Sequence, residues 1–545
     1  MEIATFVFLA ALPLMYLTYR ILHCGSEIPD DLPWVGQDVK GPFKRTRSYI
    51  RSVFGTKGML EEGYEKYSRD GQAFVLPNAF TGAEILLPPS QLNWYGSHDT
   101  QEHGLEAHKQ FMRGDFTLLH PLLCSEHVFE DAIKKHLTRG LDGLLPTLAQ
   151  EVETAATKYA GSDTNVWKEV DGFGFWKKIM VQVVSSIYVG KPLCHDEDYL
   201  NQAGHFNQMV IFNAGLIGAT PRPLRPFVAF LLCLPDKLRF RSIARMAGPL
   251  IAERLQKVQQ IAAQEKSDYS SLPHELVTWA AIDAVESPDP VKCSVDFLAR
   301  RLSVMTFIST DSTSITLGNV LFDILLASKP VRDANLMEQV QEEVKAAYDH
   351  YCRTAAINPS AGKTFIESLP LLDACLKESF RLRNFISRTL MRTATSRSGE
   401  TVVPGVGYVP EGVKIGIPIW GIHHEEALYE DANTWRCERW LEDDLKQATP
   451  VTGGGSSGMP RAYAPFGFKR FSCPGRFYAV RLVKLILAYF LLHYEIKLAD
   501  ERRPVHYWWG ISISPPREAS LLIRRRNVHY TEPFIGLNST VLDEY

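Results

Sequence analysis

Residues 465–479 read Pro465-Phe-Gly-Phe-Lys-Arg-Phe-Ser-Cys473-Pro-Gly-Arg-Phe-Tyr-Ala479, a turn-rich stretch that leads directly into an apolar helical pattern. Cys473 therefore lies just before a helix N-terminus, where the helix dipole and unbonded backbone N–H groups favour negative charge. The neighbouring Lys469, Arg470 and Arg476 add positive charge. We therefore expect Cys473 to ionise more easily than the other cysteines, as a nucleophile or a metal ligand must.

Two charged motifs precede this stretch. In LLDACLKESFRLR, residues 371–383, Glu378 and Arg381 are three positions apart and share one face of a predicted helix. The motif Trp435-Arg-Cys-Glu-Arg439-Trp440 follows. Taken singly, a cysteine is usually a small buried apolar residue, and an ExxR pair is usually a solvated surface pair. Only their occurrence together indicates a site.

A third group of polar residues lies inside a long apolar pattern upstream. Asp311, Ser312 and Thr313 fall in the middle of the predicted helix 293–328. Acids and hydroxyls are unfavourable at such positions unless their hydrogen bonds are satisfied or the groups are used. Because three of them are adjacent, this stretch is a site candidate.

The composition indicates a globular protein with a sizeable core. The chain has 545 residues, of which 45% are hydrophobic and 22% charged, and its formal net charge is −3. Intrinsic disorder and a dedicated nucleic-acid binder are both disfavoured by these values. The nine cysteines are scattered without a CxxC pair, which argues against a disulfide framework, a zinc ribbon or an iron–sulfur site.

Helical patterning dominates the body of the chain, and no repeat or long linker divides it. Helices are predicted at 127–160, 293–328, 332–351, 370–383 and 475–493, and short strands at 72–76, 83–87, 401–417 and 519–524. Ser368 is the expected cap of the helix that begins near Pro370. The sequence thus predicts one mainly α domain with small β-sheets, spanning residues 26–545.

The first 25 residues read as a membrane anchor. Residues 3–19 carry no charge and, at about 1.5 Å per residue, are just long enough for a single span. A cleaved signal peptide is the alternative, but the segment before the apolar run has Glu2 and no basic residue. Basic residues follow the span, so we expect the body of the protein in the cytosol, behind the proline-rich connector 28–36.

Taken together, the order and spacing of these motifs resemble the cytochromes P450, in particular the membrane-anchored microsomal enzymes of fungal secondary metabolism. The resemblance implies the cytochrome P450 fold and a haem b cofactor with Cys473 as the axial iron ligand. It further implies that Glu378, Arg381 and Arg439 form a structural charge network. Helix 293–328 would cross the distal side, where Asp311 with Ser312 or Thr313 would deliver protons.

The resemblance also suggests which residues contact the haem, and it shows where this sequence departs from the family. Phe466 and Arg470 in the cysteine loop, and Arg388, Lys135 and Arg139 elsewhere, are the candidate haem contacts. The alternatives are an exposed strand arginine for Arg388 and a solvated helix face for Lys135 and Arg139. Lys469 stands where the family has a glycine, Phe471 where it has a basic residue, and Cys437 where it has a proline. The distal helix also lacks the usual glycine. None of these departures removes a residue that the chemistry requires.

Substrate and partners follow from the same resemblance. Residues 210–234 are expected to be a flexible lid over the substrate channel, with a core or membrane-facing loop as the alternative. Trp508, Trp509 and Ile511 are candidate pocket residues for a lipophilic terpenoid, indole alkaloid or polyketide. A basic surface of Lys135, His136, Arg139, Lys469, Arg470 and Lys484 would dock NADPH–cytochrome P450 reductase, with cytochrome b5 as a second candidate.

The expected function is therefore a monooxygenase of the endoplasmic reticulum membrane that receives NADPH-derived electrons and oxidises a hydrophobic metabolite. Two alternatives remain open. One is a haem-thiolate isomerase or dehydratase that needs no reductase, against which the Asp311–Ser312 pair argues, because such chemistry needs no proton relay. The other is a membrane-tethered binding protein in which Cys473 is structural, which would leave the polar groups of helix 293–328 unexplained.

Overall fold

The computed structural model describes residues 28–29, 31–37, 43–97, 101–125, 129, 132–264, 268–327, 335–358, 360–389, 391–394, 400–441, 463–468, 472–500, 502, 504–516, 518–528 and 534–535. The predicted anchor at 1–25, together with Lys469, Arg470 and Phe471, lies outside these ranges. Within them, no helix is both long and apolar enough to cross a membrane.

Helices make up most of the described chain, as the sequence predicts. The first group is α1 (Lys44–Arg51), α2 (Thr56–Gly63), α3 (Leu92–Ser97), α4 (Gln101–Met112), α5 (Gly114–Thr117), α6 (Leu122–Ser125), α7 (Leu141–Ala160), α8 (Gly174–Tyr188) and α9 (Glu197–His205). The second is α10 (Val210–Ala219), α11 (Arg225–Ala262), α12 (Leu276–Glu286), α13 (Val295–Leu326), α14 (Leu336–Thr354), α15 (Ala361–Glu367), α16 (Pro370–Leu382), α17 (Ile419–His423) and α18 (Arg476–His493).

The strands are short and form four small sheets within the described residues. They are β1 (Phe74–Leu76), β2 (Glu84–Leu86), β3 (Lys168–Asp171), β4 (Arg392–Thr393), β5 (Glu400–Val403), β6 (Gly407–Pro410), β7 (Lys414–Gly416), β8 (Tyr494–Leu498), β9 (Tyr507–Trp509), β10 (Ser512–Ser514) and β11 (Ser520–Arg525). The sheet orders are β1-β2-β7-β4, β3-β11-β8, β9-β10 and β5-β6. The strands predicted from the sequence are present, whereas β3, β4, β8, β9 and β10 lie outside the predicted strand segments.

The four-stranded sheet β1-β2-β7-β4 joins distant parts of the chain. Strand β2 pairs in parallel with β7, with Glu84 opposite Lys414 and Ile85 opposite Ile415, and β4 pairs antiparallel with β7. This pairing brings Glu84 beside the segment that follows α16. The same sheet therefore positions one wall of the site.

The central helix of the domain is α13, which packs against α8, α11, α16 and α18. Ser294 caps its N-terminus by accepting the N–H of Phe297 at 3.2 Å. Inside the helix, the hydroxyls of Thr306 and Thr310 donate to carbonyls four residues earlier, which satisfies them in an apolar interior. The predicted long helix is thus confirmed, with bounds Val295–Leu326.

The start of α16 differs from the prediction. Pro370 lies in the first turn as expected, but Ser368 does not cap the helix, because its hydroxyl donates to the Thr364 carbonyl. The first N–H groups instead donate to the carboxylate of Glu343 on α14, which accepts from Leu371 at 2.6 Å and from Leu372 at 2.9 Å. A capping group supplied by another helix leaves no local sequence signal.

Two further segments differ from their predictions. The predicted helix 127–160 is divided, because a π-helix at Ile133–Thr138 ends before Gly140 and α7 begins at Leu141. Residues 210–234, expected to be a flexible lid or else a core or membrane-facing loop, form α10 and the first turns of the 38-residue helix α11. Proline at the second position of α11 suits a helix start, which explains why this proline-containing segment is helical.

Candidate active site

The cysteine loop has the geometry predicted for it. The backbone N–H of Cys473 donates to the Phe466 carbonyl at 2.7 Å, and Gly467 adopts a φ of +87°, which closes the turn. Helix α18 begins at Arg476, whose Nη1 donates to the Cys473 carbonyl at 2.9 Å. Cys473 is therefore held by its backbone immediately before a helix N-terminus.

The environment of Cys473 differs from that of most other cysteines of the described chain. Cys473 is exposed, whereas Cys194, Cys233, Cys375 and Cys437 are buried. Partial burial lowers the pKa of the nearby Arg476, and the charge of Cys473 opposes that shift. An accessible sulfur beside a half-buried cation is a suitable metal ligand.

Glu378 is the centre of a fully buried charge network. Its carboxylate accepts from Arg381 at 2.7 and 3.0 Å, from Arg439 Nε at 3.2 Å and from Trp440 Nε1 at 2.9 Å. A fifth hydrogen bond, at 3.0 Å, comes from the backbone N–H of Arg436. The structure thus brings the three predicted network residues together, and it adds Trp440, for which the sequence predicts no role.

The network is connected to the cysteine loop through His423. Arg381 Nη1 donates to the carbonyls of His423 and Ala432. His423 Nδ1 lies 3.1 Å from the Arg381 carbonyl, and the N–H of Ala464 donates to His423 Nε2 at 3.3 Å. Burial and the Arg381 charge hold the pKa of His423 well below its ordinary value. A neutral ring can both donate through Nδ1 and accept through Nε2, so it joins α16 to the residues before Cys473.

On α13, the predicted acid has a partner that the sequence did not reveal. Asp311 Oδ1 lies 2.9 Å from Nζ of Lys177 on α8. Burial raises the pKa of Asp311, Lys177 opposes the shift, and the net pKa lies above its ordinary value. A 2.5 Å hydrogen bond between Ser309 Oγ and Tyr188 OH also links α13 to α8. An acid with a raised pKa is suited to donating a proton.

The two candidate hydroxyls differ in their bonding. Thr313 Oγ1 donates to the Ser309 carbonyl at 2.5 Å, so its proton is held within the helix. The Ser312 hydroxyl makes no hydrogen bond to any other described residue, and Ser312 is half-buried. Of the two alternatives that the sequence left open, the geometry favours Ser312 as the group next to Asp311 that can bond a ligand or water.

Arg388, a candidate haem contact, already forms an ion pair with Glu84. The side chain is 3% exposed, so the alternative of an exposed strand arginine is wrong. Its Nε and Nη2 donate to Glu84 at 2.7 and 3.0 Å, and its Nη1 donates to the Thr389 carbonyl. Burial raises the pKa of Glu84, but Arg388 lowers it further, so the net shift is downward. A cation already neutralised by a carboxylate is a weaker anion ligand than the sequence suggested.

The other basic residues that were expected at the haem or on the docking surface are mostly paired with acidic residues. Lys135 lies 3.2 Å from Asp283 and 3.4 Å from Glu286 of α12, while Arg139 is exposed. Lys484 is buried and pairs with Asp373 at 2.7 Å, so its placement on an exposed basic surface is wrong. Acidic partners therefore neutralise much of the predicted basic surface among the described residues.

The aromatic C-terminal segment forms one wall of a small, partly open cavity. The lining residues are Asn78, Phe80, Thr81, Phe111, Ile211, Gly215, Trp509, Ile511 and Ser512. Trp509 stacks on Phe80 with ring centroids 5.0 Å apart. Trp508 instead packs edge-on against Trp420, because successive side chains of a strand point to opposite faces. The structure thus places Trp509 and Ile511 at the cavity and Trp508 away from it.

A comparison with protein families gives the decisive observation, because the model described as "Cytochrome P450" matches residues 132–522. The chain belongs to the cytochrome P450 family. The match includes the cysteine loop, the buried charge network and α13. It confirms the resemblance inferred from the sequence.

Individual relatives agree with this assignment. Cytochrome P450 monooxygenase lnaC of Aspergillus flavus is 26% identical over 474 residues, covering 85% of this chain and 86% of the relative. Cytochrome P450 monooxygenase polB of Polytolypa hystricis is 27% identical over 526 residues, covering 94% and 96%. The crystal structure of the cytochrome P450DA heme domain matches with a TM-score of 0.60 at 15% identity, covering 91% of this chain and 98% of that one. The protein is therefore a monooxygenase with a haem-thiolate cofactor and the P450 fold.

The described residues fit that cofactor. A thiol donor that is exposed, fixed by backbone hydrogen bonds and adjacent to a helix N-terminus matches the donor chemistry of thiolate-ligated iron. Phe466 contributes its carbonyl to the loop, and its ring packs against Phe380 of α16 with centroids 4.9 Å apart. Cys473 and Phe466 are thus the candidate haem contacts that the described geometry supports most directly.

Proposed function

We propose that this P450 is an enzyme of the endoplasmic reticulum membrane that takes electrons from an NADPH-dependent reductase and oxidises a lipophilic secondary metabolite. The observation that carries the catalytic part is the exposed Cys473 thiol, held before α18 and joined through His423 to the buried Glu378 network. The bound haem supplies dioxygen activation, which a thiolate ligand promotes.

In this proposal, each group of residues has a separate task. Cys473 holds the iron, and the network of Glu378, Arg381 and Arg439 keeps α16 and the cysteine loop in a fixed relation. Asp311 holds a proton on its raised-pKa carboxyl while Lys177 keeps the side chain in place. Ser312 passes that proton toward the site, since its hydroxyl can donate and accept.

The cavity supports a lipophilic substrate. Phe80, Phe111, Ile211, Trp509 and Ile511 supply large apolar surfaces, and its polar lining residues are few. Burial of apolar ligand surface against such walls is the main driving force available for binding. A terpenoid, an indole alkaloid and a polyketide all meet that requirement.

An exposed apolar stripe on α11 supports membrane attachment in addition to the proposed anchor. Its members are exposed and follow helical spacing on one face: Phe227, Phe230, Leu231, Leu234 and Leu238. Phe212 on α10 is also exposed. A large exposed apolar surface of this kind is typical of an interaction with a membrane or another apolar partner.

The experiment that tests the catalytic proposal is a difference spectrum of the reduced, carbon-monoxide-bound protein, recorded for wild type and Cys473→Ala. We expect a strongly red-shifted Soret band in the wild type alone. A thiolate spectrum that persists in the variant would assign the ligand to another cysteine. NADPH consumption with and without a fungal reductase then tests the electron source, and substrate conversion without either would favour an isomerase or dehydratase.

Membrane attachment needs its own test, because it is independent of catalysis. Full-length protein should remain in the microsomal pellet at high salt, and a variant lacking residues 1–25 should be released in part. Replacement of Phe227 and Phe230 by serine in that truncated variant should release it further. Complete solubility of the full-length protein would refute the anchor.

A further inference from the structure

A cluster of three potential metal ligands lies outside the haem site. Glu151 comes from α7, whereas Cys194 and His195 come from the 3₁₀ turn Leu193–His195 that follows α8. One ligand atom of each residue lies within 4.8 Å of the other two. His195 Nε2 is 3.0 Å from both carboxylate oxygens of Glu151. The fold thus assembles a carboxylate, a thiol and an imidazole in one place.

A residue that contacts the cluster, Gln182, has one unpaired polar atom. Gln182 on α8 is fully buried, and its Nε2 donates to Glu151 Oε1 at 2.5 Å. This hydrogen bond orients the carboxylate. Gln182 Oε1, however, has no hydrogen-bond partner within the described part of the chain. An unpaired buried polar atom of this kind is destabilising, and the amide that carries it is the one that orients Glu151.

We propose that Glu151, Cys194 and His195 bind a zinc ion, with solvent as the fourth ligand. Zinc accepts this mixture of sulfur, nitrogen and oxygen donors, and three protein ligands with one open position are a common arrangement. In a tetrahedral site, neighbouring ligand atoms would be separated by about 3.4–3.6 Å. The 3.0 Å contact and the 4.8 Å limit of the cluster therefore require shifts of only about 1 Å.

Charge and access also suit a divalent cation. Glu151 and Cys194 are buried, and a carboxylate with a thiolate would together balance two positive charges without leaving net charge in the interior. The side chain of His195 is 39% exposed, so an ion can enter from solvent without opening the core. After burial, the charge of Glu151 is the next contribution that raises the pKa of Cys194, and the charge of Lys191 lowers it.

The alternative is a simple ion pair between His195 and Glu151 beside a buried apolar cysteine. Burial raises the pKa of Cys194 to about 12, so without a metal the thiol is protonated. Zinc must displace that proton, as it does at other thiol sites. The two interpretations differ in one measurable respect, since only the zinc site places sulfur on a bound ion.

The test uses haem-loaded, full-length protein without a histidine tag, titrated with zinc chloride and freed of excess metal by gel filtration. We expect one zinc per chain, with an X-ray absorption shell of one sulfur at about 2.3 Å and nitrogen or oxygen ligands at about 2.0–2.2 Å. Cys194→Ser and His195→Ala should each weaken zinc binding at least tenfold. The carbon-monoxide spectrum should stay unchanged, which separates this site from the haem thiolate.

Matched controls are available in the same chain. His205→Ala removes an exposed histidine that contacts only the Asn201 carbonyl, and Cys352→Ser replaces a half-buried cysteine. Both should bind zinc as the wild type does. Wild-type protein that retains no zinc, a spectrum without sulfur, or equal binding by His195→Ala would overturn the proposal. Because His195 is exposed, that variant should fold and give a decision even if Cys194→Ser does not.

Discussion

Replacing Glu378 by glutamine tests the central role of the buried charge network. The variant keeps the shape of the side chain but removes its negative charge. In the wild type, a nitrogen of Arg381 and a nitrogen of Arg439 each lie within 3.2 Å of the Glu378 carboxylate. In the variant, both guanidinium groups remain in the interior without this shared counter-charge. Removing one partner of a buried ion pair costs about 3–5 kcal/mol, because the remaining charge stays desolvated.

That cost is a large part of the stability of a folded domain, which is about 5–15 kcal/mol. At about 1.4 kcal/mol per factor of ten, the unfolded-to-folded ratio should rise roughly a hundredfold to several thousandfold. The Arg381 side chain also holds the His423 carbonyl, so the loss should extend to the cysteine loop. We therefore expect a lower yield of folded protein together with a lower haem content.

The assay is the urea midpoint of membrane-extracted protein, with haem content measured on the same samples. Glu61→Gln is the matched control, because Glu61 pairs with Lys57 at the surface and both side chains are about half exposed. An exposed pair contributes about 0–1 kcal/mol, so this control should resemble the wild type. Equal midpoints and equal haem content for Glu378→Gln and Glu61→Gln would refute the reasoning.

Three further predictions concern proton delivery, the substrate wall and acid stability. Asp311→Asn should keep the thiolate spectrum but yield less product per NADPH, and Lys177→Met, which removes the cation opposing the raised pKa of Asp311, should shift coupled turnover to higher pH. Unchanged coupling and an unchanged pH profile would exclude this relay. Trp509→Ala should weaken substrate binding several-fold in a spectral titration, whereas Trp508→Ala, at the opposite face, should leave binding nearly unchanged; equal effects would mean that the cavity is not the binding site. Burial lowers the pKa of His424 to about 4. Between that value and about 6.5, the unfolded state therefore binds a proton that the folded state does not. The contribution of His424 to stability should be full above pH 6.5 and smaller by about 2 kcal/mol at pH 5. His424→Asn should reduce the loss of stability with falling pH, measured by urea midpoints, while His423, whose pKa is also lowered, still contributes to it; an unchanged slope would contradict the prediction.

The parts of the site that the sequence predicted are those with local spacing. Glu378 and Arg381 are three residues apart on one helix, and Cys473 immediately precedes another helix, so helical geometry alone fixes their arrangement. Arg439 lies farther along the chain, and its place in the network was predicted only from the resemblance to the cytochromes P450. Short-range geometry and side-chain chemistry were sufficient to single out Glu378, Arg381 and Cys473, but not Arg439.

The residues that were missed depend on contacts between distant segments. Glu84 meets Arg388 only because β2 pairs with β7, and no pattern around either residue indicates a partner about 300 positions away. Lys177 likewise meets Asp311 only through the packing of α8 on α13. The distinction between Trp508 and Trp509 depended on strand register, since a shift of one residue would have exchanged their roles.

His423 connects the buried charge network and the cysteine loop into one structural unit. Its neutral ring contacts the Arg381 carbonyl through Nδ1 and accepts the Ala464 N–H through Nε2, so it links the charge network to the chain that leads to Cys473. A protonated ring has no acceptor, and the contact with Ala464 would be lost. Because burial and the Arg381 charge both depress the pKa of His423, the link persists to well below pH 6.5. The same guanidinium that stabilises the buried carboxylate therefore also keeps the connection to the cysteine loop intact.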